Sequence, residues 1–173
     1  MHHLKKYNRF VNLINGQTIV ELTQGQHTIL WAYHWELLKH IKWFSQWSNF
    51  TKTFYVHGRE PLSGKRVCMH RMILGLTKRE DEGDHINSDT LNNLYPENLR
   101  VATKSQNSMN RGKNKNNTSG FKGVSWDKEK NKWKAKIGSN NKQISLGYFN
   151  NKEDAIKIIK ESRLKHHKEF SSE

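Results

Sequence analysis

The sequence predicts an α+β protein built as two units, on three observations. Residues 121–149 hold three short strand-like runs joined by turn-forming residues, and a helical stretch follows them. Residues 17–102 mix further strand-like runs with a stretch of helical period. Between the two lies "SMNRGKNKNNTSG", 108–120, nearly devoid of apolar residues and rich in Asn, Gly, Ser and Lys, which is a linker signature.

In the first unit, "QTIVEL" reads as a strand after the turn "NG" at 15–16. "ILWAYHWELLKHIKWF", 29–44, has apolar residues at 30, 31, 35, 37, 38 and 41, close to a helical period. Its Trp31, Trp35 and Trp43 are expected in the core. "KTFYVHG" and "KRVCMHRMIL" flank the turn cluster "REPLSG" and are expected to pair as a hairpin. "LRVAT", 99–103, is a short strand. "TKSQN" after it is a helix start with Thr103 as N-cap and Gln106 in the capping-box position.

In the second unit, "FKGVSWD", "KWKAKIG" and "KQISLGYF" are strands connected by "KEKN" and "SNN". "NNKEDAIKIIKESRLKHHKEF" is a helix capped by Asn150 or Asn151, with acids early and bases late. Ala155, Ile158, Ile159 and Ser162 form its packing stripe.

Composition bounds the function. The 173 residues carry 30 Lys and Arg against 16 acids, with a pI near 9.9. That balance suits a nucleic-acid binder. An anionic membrane is the rival partner, but no segment offers a strong apolar face opposite Lys and Arg, and none has transmembrane length. Only 34% of residues are apolar, so the cores must be small. The excess charge is uneven: residues 1–107 hold 14 bases and 9 acids, residues 108–173 hold 16 and 7. The opening "MHHLKKYNRF" has no apolar run of signal type. One cysteine, Cys68, excludes an intramolecular disulfide and a Cys₄ or Cys₂His₂ zinc knot, and it is expected to be a small buried residue.

The middle strand of the second unit alternates. Trp133, Ala135 and Ile137 point one way, and Lys132, Lys134 and Lys136 the other. With Lys122, Lys142, Gln143 and Ser145 they make a basic, polar face opposite the helix. Such a face either keeps an exposed sheet soluble or meets DNA, and the overall charge favours DNA. Arg111, Lys113 and Lys115 in the linker are candidates for neutralising phosphates.

The run from "SGFKGVSWD" to "LGYFNNKEDAI" resembles the Apetala-type, ethylene-response-factor-like DNA-binding domain: a "GV" strand opening, an Ala-then-Ile middle strand, "LG-x-F" and an acidic helix start. The resemblance covers roughly 118–170. It implies a three-stranded antiparallel sheet packed on one helix and set in the major groove. Lys122, Ser125, Lys134, Lys136, Gln143 and Ser145 would then face DNA. Plant members carry several arginines and a tryptophan there, so backbone anchoring is expected here rather than strong base readout.

"GDHINSDTLNNLYPENLRVATKSQN", 83–107, carries the other chemistry. Phosphodiester hydrolysis needs an activated water, a stabilised leaving oxygen and a neutralised phosphoryl charge. A neutral His suits the first task, and a divalent cation the other two. One Asp and one Asn carbonyl suffice for Mg²⁺ completed by substrate oxygens. Adjacent residues on an extended segment point to opposite sides, so Asp84 and His85 can serve different tasks.

With "MHRMILGL", "DHIN", "NN", "ENLR" and "ATKSQN", this region resembles the His-Asn-His (HNH) family of homing endonucleases, in the variant ending in Asn. The resemblance covers roughly 20–111. It implies a ββα-metal core at 66–111 with one Mg²⁺ or Mn²⁺ per active site. Asp84 and Asn107 would be its ligands, His85 the general base, and Asn98 the residue fixing the loop that orients His85. Ser88-Asp89 stand where members often have a glycine turn, and a proline precedes Asn98. His70 and Arg71 are expected to pack against the hairpin, with phosphate contact by Arg71 the alternative. Asn87, Asn92 and Asn93 are expected to be turn residues.

The expectation is a two-domain, site-specific DNA endonuclease of homing type: a nuclease unit at 1–107, a basic flexible linker at 108–119 and a DNA-binding unit at 120–173. It would act as a monomer on double-stranded DNA, in the cytoplasm of a bacterial or phage-infected cell, with no membrane or disulfide partner. The rivals are a non-catalytic DNA-binding regulator and an RNA-binding, intron-associated protein.

Overall fold

Short antiparallel strands with alternating burial organise both parts of the chain. The structure is a computed structural model describing residues 7–110, 112–113, 116–139, 142–167 and 170. Arg111, Lys115 and the turn at 140–141 lie outside the described residues. The chain divides into two compact units, Met1–Val101 and Ala102–Glu173. The helical residues Lys104–Asn110 therefore belong with the second unit.

The first unit opens with β1 (Phe10–Asn12), β2 (Gln17–Glu21) and β3 (His27–Trp31), an antiparallel sheet in that order. Thr18 and Val20 are buried on alternate positions of β2, as a one-sided sheet requires. Helix α1 (Ala32–Leu38) follows. A second antiparallel sheet comprises β4 (Lys42–Ser48), β5 (Thr53–Arg59) and β6 (Arg66–Cys68). Then come α2 (Met69–Ile73) and the paired strands β7 (Glu82–His85) and β8 (Leu99–Ala102).

Val20, Leu30, Trp35, Leu38, Ile41, Trp43, Val56 and Met69 form the core. Asn8 ties the two sheets together. Its amide donates to the carbonyls of Glu21 and Trp43 and accepts the Trp43 N–H.

The helix expected over 29–44 is shorter than its periodicity suggests. Residues 29–31 lie in β3, in register with Gln17–Ile19, and residues 42–44 open β4. Pairing on a sheet satisfies the backbone groups of both ends, and that tertiary gain overrides the local period. Trp43 sits opposite Gly58, where an added Cβ would lie 2.9 Å from the indole. The hairpin expected from "KTFYVHG" and "KRVCMHRMIL" forms between β5 and β6, but its second strand ends at Cys68, where α2 begins.

The second unit begins with α3 (Lys104–Asn110). Its start is a reciprocal capping box: Thr103 Oγ1 accepts the Gln106 N–H, and Gln106 Oε1 accepts the Thr103 N–H. Strands β9 (Val124–Asp127), β10 (Lys132–Ser139) and β11 (Lys142–Phe149) make an antiparallel sheet with β10 in the centre, and α4 (Lys152–His166) follows. Val124, Ala135, Ile137, Ala155 and Ile159 join sheet and helix in one small core. Among the described residues, no helix is long and apolar enough to cross a membrane.

A bulge between Ala135 and Lys136 moves the β11 register from Ser145 to Gly147. One extra residue keeps Leu146 and Phe149 packed on the core while Tyr148 stands opposite Lys134. Gly147 takes a φ of +115° there, which an L side chain rarely adopts.

Gly123 is a second such constraint. Its φ is +87°, and a Cβ would fall 2.5 Å from the Lys136 carbonyl oxygen. Since Lys136 N–H bonds the Gly123 carbonyl, neither backbone can give way freely. Gly123→Ala is expected to destabilise the second unit by about 1–3 kcal/mol, read as a lowered urea midpoint. An unchanged midpoint would show that this close approach relaxes at no cost.

Candidate active site

Asp84 and His85 end β7, and the chain then turns through 86–98 without regular structure. Side chains supply what a ladder would. Asn87 Oδ1 accepts the Asp89 N–H, Asp89 Oδ1 the Leu91 N–H, and Asn92 Oδ1 the Leu94 N–H, three successive local turns. Asn98 closes the loop. Its Oδ1 accepts the Asn87 N–H at 3.0 Å, and its Nδ2 donates to the carbonyls of Asn92 and Asp89 at 2.8 and 3.2 Å. Its own carbonyl accepts the Ile86 N–H. Ser88 adopts a φ of +65° in this loop.

His85 is 5% exposed. Its Nε2 lies 3.3 Å from Asn93 Oδ1. The His70 and Tyr55 rings surround it, with centroids at 5.2 and 6.3 Å. Burial lowers the pKa of His85, while the Asn93 bond and the charges of Asp84 and Asp89 partly oppose this. His70 is pushed down to about 3, by burial first and then by His85, His57 and Arg71. Both rings are therefore neutral at pH 7. Gly83 allows His70 this close to β7, since a Cβ there would sit 2.8 Å from the imidazole.

Asp84, 4% exposed, is held by Arg100 on the neighbouring strand: Nε and Nη2 both donate to Oδ2, at 2.8 and 2.7 Å. Among the described residues, no group of three or more His, Cys, Asp or Glu side chains could hold a metal ion. One carboxylate with an amide oxygen is a donor set for Mg²⁺ or Mn²⁺ only as a site completed by substrate oxygens and water. Asn107, the other ligand expected from the resemblance, lies in α3, with its N–H bonded to the Thr103 carbonyl.

Arg71 is engaged locally. Its guanidinium donates to the carbonyls of Asp81 and Lys78 at 2.6 Å and Leu76 at 3.5 Å, so it braces the turn before β7. A concavity of about 940 Å³ in the first unit is lined by His34, Leu38, Arg66, Cys68, Arg71 and Met72 among others, and Asp84 and His85 do not line it. Cys68 is half-buried, its Sγ 3.3 Å from His57 Nδ1.

The basic sheet face forms in the second unit. Ser125 and Tyr148 flank Lys134 across the strands, and Ser145 stands opposite Lys136. Ser125, Lys142, Gln143 and Ser145 are exposed. Lys136 Nζ donates to Gln143 Oε1 at 3.3 Å, while the ammonium groups of Lys130 and Lys134 lie 3.9 and 5.6 Å from the Tyr148 ring centre. Lys122 is half-buried, and its ammonium donates to the Met109 carbonyl at 2.8 Å, at the end of α3. Lys113 is exposed and reaches the Gly120 carbonyl.

Sequence reasoning missed Asn93, Arg100 and Tyr148. Asn93 was expected in a turn but is fully buried. Nothing local separates it from Asn92. Arg100 could have been found, because a basic residue on the strand paired with an aspartate's strand is a natural partner for it.

A 60-residue stretch of this chain is 43% identical to Protein 3.8 of Escherichia phage T7, covering 35% of this chain and 49% of that protein. The chain thus spans about half the length of that relative. No family model matches the chain, and no solved structure matches it.

Two outcomes are expected. Asn98→Ala removes three side-chain bonds to part-buried backbone groups, which should cost about 2–4 kcal/mol in urea unfolding. A loss below about 1 kcal/mol would mean that the loop closes without it. Unfolded His titrates near 6.5, so as pH falls the unfolded chain takes up a proton before buried His70 does. Stability should therefore be full above about pH 6.5 and decline from there toward His70's folded value near 3. His70→Gln should flatten that decline, and an unaltered slope would show that His70 does not cause it.

Proposed function

We propose that the chain is a site-specific DNA endonuclease of homing type, in which residues between Asp84 and Asn107 hydrolyse a phosphodiester bond and the three-stranded sheet of the second unit holds the DNA. The observation that carries this reading is a neutral, buried imidazole beside a buried carboxylate, both set by a loop that Asn98 closes. His85 would accept a proton from the attacking water, the task for which a neutral imidazole suits pH 7. Asp84 and Asn107 would hold one Mg²⁺ or Mn²⁺. When bound, the ion supplies Lewis-acid neutralisation of the phosphoryl charge and of the leaving 3′ oxygen. The core would then be of the ββα-metal type. The matched Protein 3.8 comes from a phage, which fits a setting inside an infected cell.

Binding would rest on the lysine-rich sheet. Lys134, Lys136, Lys142, Gln143, Ser125 and Ser145 would meet the phosphate backbone, with Lys113, Arg111 and Lys115 adding charge along the linker. Lys122 and Arg71 have intramolecular bonds that a DNA contact would have to share or replace.

One observation favours a second reading. Asp84 and His85 expose only 4% and 5% of their surface, and Arg100 already neutralises Asp84. A DNA-binding regulator that keeps a silent nuclease core would look the same.

Plasmid nicking with Mg²⁺ separates the two. Wild type should nick, and His85→Ala should lower the rate by about 10²–10⁴-fold. Equal inertness of both would leave the regulator reading. Asp84→Ala should abolish cleavage while duplex affinity changes little. Replacing Lys134 and Lys136 together by Ala should weaken binding and reduce the salt slope by about 2. An unchanged slope would take that face off the DNA.

A further inference from the structure

We infer that Thr28 and Asn93 are positioning residues that fix which nitrogen of His85 carries its proton. The inference rests on the nuclease reading only for its kinetic consequence. Thr28 Oγ1 lies 2.7 Å from the Leu91 carbonyl oxygen, which can only accept, so the hydroxyl proton points there. The same Oγ1 lies 2.9 Å from the Asn93 side chain. With its proton already given to Leu91, the hydroxyl can only accept from Asn93. That contact must be an Nδ2–H donor, and it settles the orientation of the amide. Asn93 Oδ1 therefore faces His85 and can only accept. The 3.3 Å contact is then a bond from His85 Nε2–H to Asn93 Oδ1, and the lone pair of the neutral ring is on Nδ1.

The wire is firmly mounted. Thr28 and Asn93 are 2% and 0% exposed. Backbone bonds run from Asn93 N–H to the Ile29 carbonyl at 2.8 Å and from Ile29 N–H to the Leu91 carbonyl at 3.2 Å. Segment 91–93 is thus laid along the outer edge of β3, and a neighbouring bridge joins Ile29 with Asn92. The opposite tautomer, with its lone pair on Nε2, would put two acceptors face to face in a buried site. Flipping the amide would instead set an Nδ2–H against His85 and leave Thr28 facing an oxygen with its only proton already used. Each alternative leaves a buried polar atom without a partner. His70 and Tyr55 pack the ring and hold its plane.

Nuclear magnetic resonance of ¹⁵N-histidine-labelled full chain, with His85→Gln to assign the signal, reads the tautomer directly. Wild type should show His85 protonated on Nε2. Thr28→Ser should keep that signature. Thr28→Val, of equal size but without a hydroxyl, should give a mixture of tautomers. In plasmid nicking, Thr28→Val should lower kcat by about 10- to 100-fold with KM little changed, and Thr28→Ser should restore it. A wild-type His85 protonated on Nδ1 overturns the inference without any variant. So does a Thr28→Val chain that keeps the wild-type tautomer. Should wild type show the Nε2–H signature yet fail to nick DNA, the positioning role stands and the nuclease reading falls.

Discussion

The candidate site depends on how one irregular loop is closed, and Asn98 closes it. Residues 86–98 make no strand ladder, so their backbone donors and acceptors need other partners. Asn98 satisfies three of them with one side chain, while Asn87, Asp89 and Asn92 each satisfy one more two residues ahead. A short amide can imitate a peptide group on both its donor and acceptor sides, which is why asparagine rather than aspartate fills the brace. The loop is closed by the same groups that make it polar.

Closure would mean little if the loop were not also anchored at its far side. The outer edge of β3 provides that anchor through Leu91 and Asn93. An open strand edge is usually something a protein must protect. Here, covering it delivers a hydrogen-bond acceptor to His85. The Asp84–Arg100 pair adds a charge constraint. Removing one partner would strand the other in a poorly hydrated place, so the pair is conditional on both strands being present.

The second unit shows how a lysine-rich face divides between folding and display. Lys122 caps a helix end, and Lys134 leans toward Tyr148, while Lys142 with Ser125 and Ser145 remains outward. Charge counted along a strand overstates the charge available to a partner, because long cationic side chains find carbonyls and ring faces nearby.

Much was legible in the sequence because it depends on neighbours along the chain. The three strands of the second unit, the capping box at Thr103 and Gln106 and the alternation of β10 follow from periods of two and from fixed short offsets. The turn roles of Asn87 and Asn92 are equally local. The expected helix over 29–44 failed where strand pairing with distant residues outweighed a local period. Asn93 was misjudged because its partners, Thr28 and Ile29, lie more than sixty residues away. The sequence by itself therefore determined where the chain turns and where its short strands and caps fall. Only the tertiary structure decided which asparagine faces His85 and which lysines are already occupied. Those outcomes depend on contacts between segments that no spacing along the chain records.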